Sequence, residues 1–441
     1  MQQNHDLKKR HYQIVGEILS KNWEWVVLTL AALLVFLRVP RILLEGRFWA
    51  EDGVLYFRQA YISGNDLGTF LSSEVGYYSL INRIIGYVSG NWLPLDYAPL
   101  LHCWVAFFFL LLPVLILLFS KLPGIETSWQ KLLGIGLVLF VTPNLETWLS
   151  LALSQFHNGL AVALILVSKS DRRWMRWIRY FTLIVAGLNS PFPCFFVPFF
   201  WLIWIINRDS EKLLECILLS VFTLIQAWVV ISLPDSGLRP LFLSLSFLPY
   251  ALIVKQFLLA FGGWSFADGH VSELRRIFLE NYWLFSWVVP AVYGAIICLI
   301  VRYKDKVAGF LFFSGIFVLI LSVIGDLGMP NPEARIIYLD VIIGGRYFFV
   351  PNMLFFLSLL VLSSNERGIW DKAISLTIKG LLVWVIVVGI FNYNPNSKYA
   401  EDFFVGPSWK EEIAKWREDP SYLVHIWPIR KTLQLPPLEQ P

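Results

Sequence analysis

Two adjacent carboxylates, Glu51 and Asp52, stand just beyond the first long apolar run, within Glu45-Gly46-Arg47-Phe48-Trp49-Ala50-Glu51-Asp52-Gly53-Val54-Leu55-Tyr56-Phe57-Arg58. A carboxylate at such a place can take a proton from a hydroxyl, ligate a metal, or cap a helix. Neighbouring residues of a helix point to different faces, so Glu51 and Asp52 are not expected to serve one proton jointly. If a helix starts here, Asp52 lies near its N-cap and shares a face with Tyr56. Arg58 follows about one and two-thirds turns later. Spacing alone leaves two readings open: a reactive pair, or a capping acid beside interfacial aromatics, Trp49 and Tyr56.

A second acid, Glu146, sits in Thr142-Pro143-Asn144-Leu145-Glu146-Thr147-Trp148. Pro143 ends an apolar run, and Asn144 or Thr147 can cap the next helix. A first-turn carboxylate gains ~0.3–1 kcal/mol from the helix dipole, so Glu146 reads either as that or as a ligand contact. Gln155, His157 and Asn158 follow. A continuous helix would carry His157 ~16 Å deeper than Glu146, where a lone histidine reads first as a hydrogen-bonded packing residue. A third stretch, Asp340 to Pro351, contains Gly344-Gly345-Arg346-Tyr347. Glycines let backbone approach a ligand closely. Arg346 can grip a phosphate bidentately or snorkel to an interface. Arg58, Arg83, Lys255 and Arg335 are further cations suited to a phosphate, as are Arg275 and Arg276; each alone reads equally as an interfacial charge. Phosphate-cradling, nucleophile-elbow and zinc-protease motifs are absent.

The elements that must hold these residues are membrane helices. The chain has 441 residues, of which 57% are apolar and 15% charged. Its mean hydropathy is +0.61. Soluble domains carry roughly 45–50% apolar and about 25% charged residues. Apolar runs of about 18 or more residues recur, each long enough to cross a hydrocarbon layer of about 30 Å. That pattern excludes a soluble enzyme, a disordered chain and a β-barrel. The expected fold class is therefore an all-α polytopic membrane protein. About eleven transmembrane helices are expected, at 23–44, 97–119, 130–143, 149–168, 177–190, 192–207, 213–233, 282–301, 307–325, 347–363 and 373–392. The four cysteines, Cys103, Cys194, Cys216 and Cys298, fall in or beside apolar runs and read as small core residues. The polar N-terminus and long first run suggest a signal anchor rather than a cleaved leader.

Charge sets the expected topology. The net charge of +4 says little, but its placement says more. With the N-terminus inside, the basic residues at 8–21, 121–131, 169–179, 208–212, 302–306 and 367–372 all fall in cytoplasmic segments, as the positive-inside rule requires. The outer parts are then 45–96, 234–281, 326–346 and the tail. Residues 241–261 are apolar enough to span, but a span there would put the Arg302–Lys306 cluster outside, so they read as re-entrant or interfacial. The domain division is 1–22 as a cytoplasmic segment, 23–392 as the transmembrane domain with its outer loop 45–96, and 393–441 as a small outer tail. The tail holds a helix candidate from Ser408 to Arg417 and a strand-like run from Tyr422 to Trp427. It is too small for a large core of its own.

An acidic pair just after the first span, followed by Tyr56 and Arg58 on a juxtamembrane segment, resembles the GT-C superfamily of integral-membrane glycosyltransferases. The Asp-x-x-x-Tyr spacing of Asp52 and Tyr56, the span count and the short second outer loop carry the resemblance, and Gly345-Arg346-Tyr347 is similar to a stretch in bacterial GT-C-like proteins. The resemblance implies a GT-C-like bundle with outer juxtamembrane helices. It implies a sugar donor linked to polyprenyl phosphate and a lipid, glycan or protein acceptor, with inversion and a carboxylate base. It assigns the base to Asp52 with Glu51 in support, acceptor or metal contact to Glu146, and the donor phosphate to Arg346, aided by Arg58, Arg83, Lys255 and Arg335. Trp49, Tyr56, Gly344, Gly345 and Tyr347 would support the site. Mg²⁺ or Mn²⁺ serves some members and not others. The expected location is a bacterial inner membrane with the site on its outer face. Two alternatives remain from the sequence: a lipid or polysaccharide flippase, and an O-antigen-type polymerase or ligase.

Overall fold

A computed structural model describes residues 22–72, 76–232, 248–326, 341–342, 344–366, 368–428 and 430–437. Arg335 and Asp340 lie outside the described residues. The chain is mostly helical. Among the described residues the strands are Val424–Ile426 and Lys431–Leu433, antiparallel with His425 opposite Thr432.

Among the described residues four helical stretches, Leu248–Glu280 among them, are long and apolar enough to cross a membrane, or five if a bent pair counts as one span. They are led by Ala98–Phe119, whose 22 residues reach ~33 Å at 1.5 Å per residue. The bent pair is Arg173–Asn189 with Phe192–Asn207, which meet at 118°; Pro191 stands in the break and Pro193 just after it. The first apolar run is also broken. Its helix stops at residue 38, and a short helix, Pro40–Glu45, follows with proline at its first position. Large side chains face outward along this surface, among them Trp228, Trp287, Leu376 and Phe391. An apolar exterior of that extent suits lipid rather than water.

Shorter helices are sheltered by their neighbours. Ser154–Val167 has 14 residues and is buried along nearly its whole length. At ~21 Å it is shorter than the hydrocarbon layer, but it packs on Ala98–Phe119 and Arg346–Leu362 and has little need of lipid contact. The sequence expectation of a helix from residue 149 is corrected here. Residues 145–153 form turns, so Thr147 and His157 meet instead of lying far apart along one axis: His157 Nε2 is 3.2 Å from the Thr147 carbonyl.

The loops gather at two ends. At one end, Lys121 and Lys169 exchange backbone hydrogen bonds of 2.8 and 2.9 Å. Glu24 pairs there with Arg172 and Lys131, and Lys169 with Asp209. Ser364 donates to the Gly124 carbonyl, which brings the turn after Arg346–Leu362 to the same end. Beneath it, Glu215 takes both Arg179 and Lys212 in a fully buried cluster. This is the basic end anticipated from charge.

The opposite end carries the first loop and the tail. The tail helix is Trp409–Glu418 with Ser408 at its N-cap, as expected. Trp409 Nε1 donates to the Leu95 carbonyl at 2.7 Å, and Arg417 grips Asp96 through two bonds of 3.0 and 2.8 Å. A small core of Phe48, Phe57, Trp409, Ile413, Trp416 and Ile426 joins tail to loop. The tail and residues 45–96 therefore share one end of the bundle.

Residues 248–280 also touch that end. A straight helix would separate Tyr250 and Val271 by ~31 Å, yet the Tyr250 hydroxyl donates to the Val271 carbonyl at 3.1 Å. The chain doubles back at Gly263, whose φ of 76° breaks the helix. Trp264 N–H donates to Asn392 and Asp268 pairs with Lys398, so the fold-back is pinned to the start of the tail.

Candidate functional site

The acidic pair opens a wide helical turn, Asp52–Phe57, closed by the Arg58 N–H donating to the Gly53 carbonyl five residues earlier. Such π-type turns often mark functional sites because they re-aim side chains. Here the turn sends the two acids apart. Glu51 is exposed, whereas Asp52 is only 2% exposed. Asp52 Oδ1 accepts the Ala152 N–H at 2.8 Å and Oδ2 accepts the Leu151 N–H at 3.2 Å, with the Ser150 hydroxyl at 3.5 Å. Burial pushes the Asp52 carboxyl up to about 7; the amide bonds pull the other way, and Glu51 and Arg47 add smaller opposing effects. The expectation that Asp52 faces an arriving hydroxyl is not met by this placement, because both oxygens are turned into protein. It joins the first loop, after residue 45, to the turns at 145–153.

Glu146 and Arg346, chosen separately in the sequence, meet across 200 positions. Glu146 Oε2 accepts the Arg346 backbone N–H at 2.8 Å, and Oε1 lies 3.5 Å from the guanidinium. The Arg346 side chain keeps 33% of its surface exposed against 12% for Glu146. Its Nη2 donates to the Tyr347 hydroxyl at 3.1 Å, and its guanidinium stands 4.8 Å over the Tyr347 ring. Glu146 thus orients a half-buried cation at the mouth of the helix Arg346–Leu362.

Tyr77 stands against the start of the helix Ser154–Val167. Its hydroxyl bonds Gln155, and burial raises its pKa further under the influence of Tyr56, Tyr347 and Glu51. Tyr56 is buried with its hydroxyl against Ser79 and Asn82, and its pKa too is raised by burial. Tyr77 was missed by motif reading, since an isolated tyrosine in a polar loop carries no spacing signal.

The remaining candidates are placed otherwise than expected. Arg83 is buried and bonds Gln59 at 2.6 Å and the Thr69 carbonyl at 3.0 Å. Arg58 Nε donates to the Gln434 carbonyl of the tail. Lys255 is fully buried, its ammonium 2.8 Å from the Val341 carbonyl. These three hold loops together, because each long cation finds a backbone or amide oxygen before it reaches open space. Trp49 is buried and stacks on Phe403 at 5.4 Å. Gly344 takes a φ of 73°. Gly345 faces Pro143, which a Cβ would meet at 2.9 Å, so its bare backbone serves a protein contact. Arg276 pairs with Glu273 on an exposed surface.

Two buried arginines were overlooked. The Arg47 guanidinium donates to the Phe403 carbonyl and, at 2.7 Å, to the Trp148 carbonyl. Burial lowers its pKa to about 10, leaving it charged at neutral pH. Arg38 lies 3.9 Å over Tyr393 and 4.3 Å over Trp148. An arginine inside an apolar run is costly and therefore informative, and that was the available signal for Arg38.

A divalent cation of the Mg²⁺ type takes several oxygen ligands. Among the described residues no group of three His, Cys, Asp or Glu side chains lies together, and Asp52 is already engaged, so no step below passes through a metal.

No protein-family model, curated protein or solved structure matches this chain.

Proposed function

We propose that this chain is a membrane glycosyltransferase that moves a sugar from a polyprenyl-phosphate donor to a hydroxyl on a lipid, glycan or protein. In this reading about eleven helices, arranged as in the GT-C superfamily, run between the basic end and the tail end. On the same reading the positive-inside rule puts the tail end outside, and the GT-C resemblance implies a bacterial inner membrane.

The observation that carries the proposal is the pairing of Glu146 with Arg346 beside Tyr347, with the exposed carboxylate of Glu51 in the first loop. The reaction needs that division of labour. An acceptor oxygen attacks the anomeric carbon, the bond to phosphate breaks, and the phosphate leaves with the electron pair. A carboxylate takes the acceptor proton, and a cation steadies the departing charge. Arg346 fits the phosphate role because its planar fork is oriented by Glu146 yet still half exposed. Of the acidic pair, this reading assigns the proton to Glu51 because it is exposed, while the buried Asp52 accepts the amides of Leu151 and Ala152. An apolar groove of about 690 Å³ lined by Phe257, Phe261, Trp384 and Phe391 offers a seat for the donor's hydrocarbon chain. Phe257 and Phe261 of the groove lie on the same arm of the fold-back as Lys255, which holds the loop ahead of Arg346.

The test is transfer of labelled sugar from polyprenyl phosphate in proteoliposomes, comparing the wild type with Glu51→Gln and Arg346→Ala. Transfer that survives both changes rejects the site.

A further inference from the structure

The backbone just before the acidic pair is held by the tail. Trp427 N–H donates to the Phe48 carbonyl at 3.1 Å, and the Trp427 carbonyl accepts the Ala50 N–H at 2.6 Å. Residues 49 and 427 thereby form a short parallel bridge. Between these bonds Ala50 adopts a φ of 36°, a left-handed conformation costly for a residue with a Cβ and kept only where surroundings impose it. Arg47 closes the arrangement, with its guanidinium 4.9 Å from both the Trp49 and Trp427 rings. The Trp427 indole is fixed in turn, donating to the Pro407 carbonyl at 3.0 Å and lying flush against Gly406.

We infer that Trp427 is a positioning residue for the acidic pair: the tail sets the backbone from which Glu51 is presented. The inference rests on the glycosyltransferase reading only for its effect on turnover. The mechanical part, that Trp427 holds residues 48–54, stands without it. The left-handed backbone at Ala50 would relax if the bridge opened, shifting the segment that carries Glu51. Fixing a reacting group in place contributes heavily to rate, and small displacements cost it.

Hydrogen exchange and transfer assays on the full-length protein test this together. In the wild type the Ala50 amide should be strongly protected; exchange as fast as an open loop would overturn the inference without any variant. A Cβ on residue 406 would lie 2.5 Å from the Trp427 ring, so Gly406→Val should displace it. The expected result is faster exchange across 48–54 and a kcat lower by about tenfold or more, with the donor KM changed by less than about twofold. Trp427→Phe, which keeps an aromatic ring and the backbone bonds, should restore most of the rate relative to Trp427→Ala. Arg417→Ala, which breaks only the surface pair with Asp96, should change neither reading. Unchanged exchange in Gly406→Val, or wild-type kcat alongside faster exchange, would overturn the positioning role. A wild-type protein that transfers no sugar yet shows the exchange pattern would reject the enzymatic reading and leave the bridge standing.

Discussion

Asp52 and Ala152, one hundred positions apart, are joined by a 2.8 Å hydrogen bond from the Ala152 amide to the Asp52 carboxylate. That bond and its partner at Leu151 join the first loop and the turns at 145–153 into one unit. Glu51, one residue earlier, is left facing outward. The two acids that look equivalent in sequence therefore do different work, and most of the predictions turn on that difference.

Asp52→Asn should lower stability and reduce transfer less than Glu51→Gln. Asparagine keeps one acceptor oxygen but turns an NH₂ toward an amide that needs an acceptor, which costs about 1–3 kcal/mol when buried. Thermal unfolding in detergent measures it. An unchanged Tm would show that the brace does not hold the loops.

The same residue predicts a pH dependence. Its folded-state pKa of about 7 lies above the ordinary 3.8, so the folded protein binds this proton more tightly than the unfolded chain. Stability from this group is full below about pH 4 and is lost as pH rises through about 7. Unfolding midpoints measured between pH 5 and 8 should fall more steeply for the wild type than for Asp52→Asn. Equal slopes would exclude a titrating Asp52.

Arg346→Lys keeps the charge and loses the planar fork. Transfer should drop more than tenfold, or ~1.4 kcal/mol of transition-state stabilisation. Glu146→Gln should act more weakly and chiefly through the donor KM, since a carbonyl can still accept the Arg346 backbone N–H. Wild-type kinetics in both variants would remove this pair from the site.

Accessibility labelling tests the two-ended arrangement. Single cysteines replacing Lys398 and Asp66 should react with an impermeant thiol reagent from one side, and one replacing Asp171 from the other. Cys103, Cys194 and Cys216 are buried, so background from them should be low. Labelling of positions 398 and 171 from the same side would contradict the arrangement.

The sequence made the bundle legible where physics is local. Apolar length located helices such as Ala98–Phe119, loop charge grouped Lys121, Lys131, Lys169 and Arg172, and Ser408 marked the start of the tail helix. What it hid were contacts set by tertiary packing. The turns at 145–153 replaced an expected helix because their amides are taken by Asp52 and their carbonyls by Arg47 and His157. Arg58, Arg83 and Lys255 resembled phosphate ligands by charge alone, yet each bonds a backbone oxygen, Arg58 and Lys255 in distant segments and Arg83 within its own loop. Trp427 carries no motif, since its role combines backbone bonds to Phe48 and Ala50 with an indole seated against Gly406 and Pro407, contacts that only the fold brings together.

The most direct measurement is single-turnover sugar transfer from labelled polyprenyl-phosphate donor to acceptors in native membrane vesicles, comparing wild type, Glu51→Gln and Asp52→Asn at pH 8. The account predicts transfer by the wild type, a loss of roughly 10²–10⁴ in Glu51→Gln, the usual worth of a positioned proton acceptor, and a smaller loss in Asp52→Asn. Full transfer by Glu51→Gln, or none by the wild type, would contradict it.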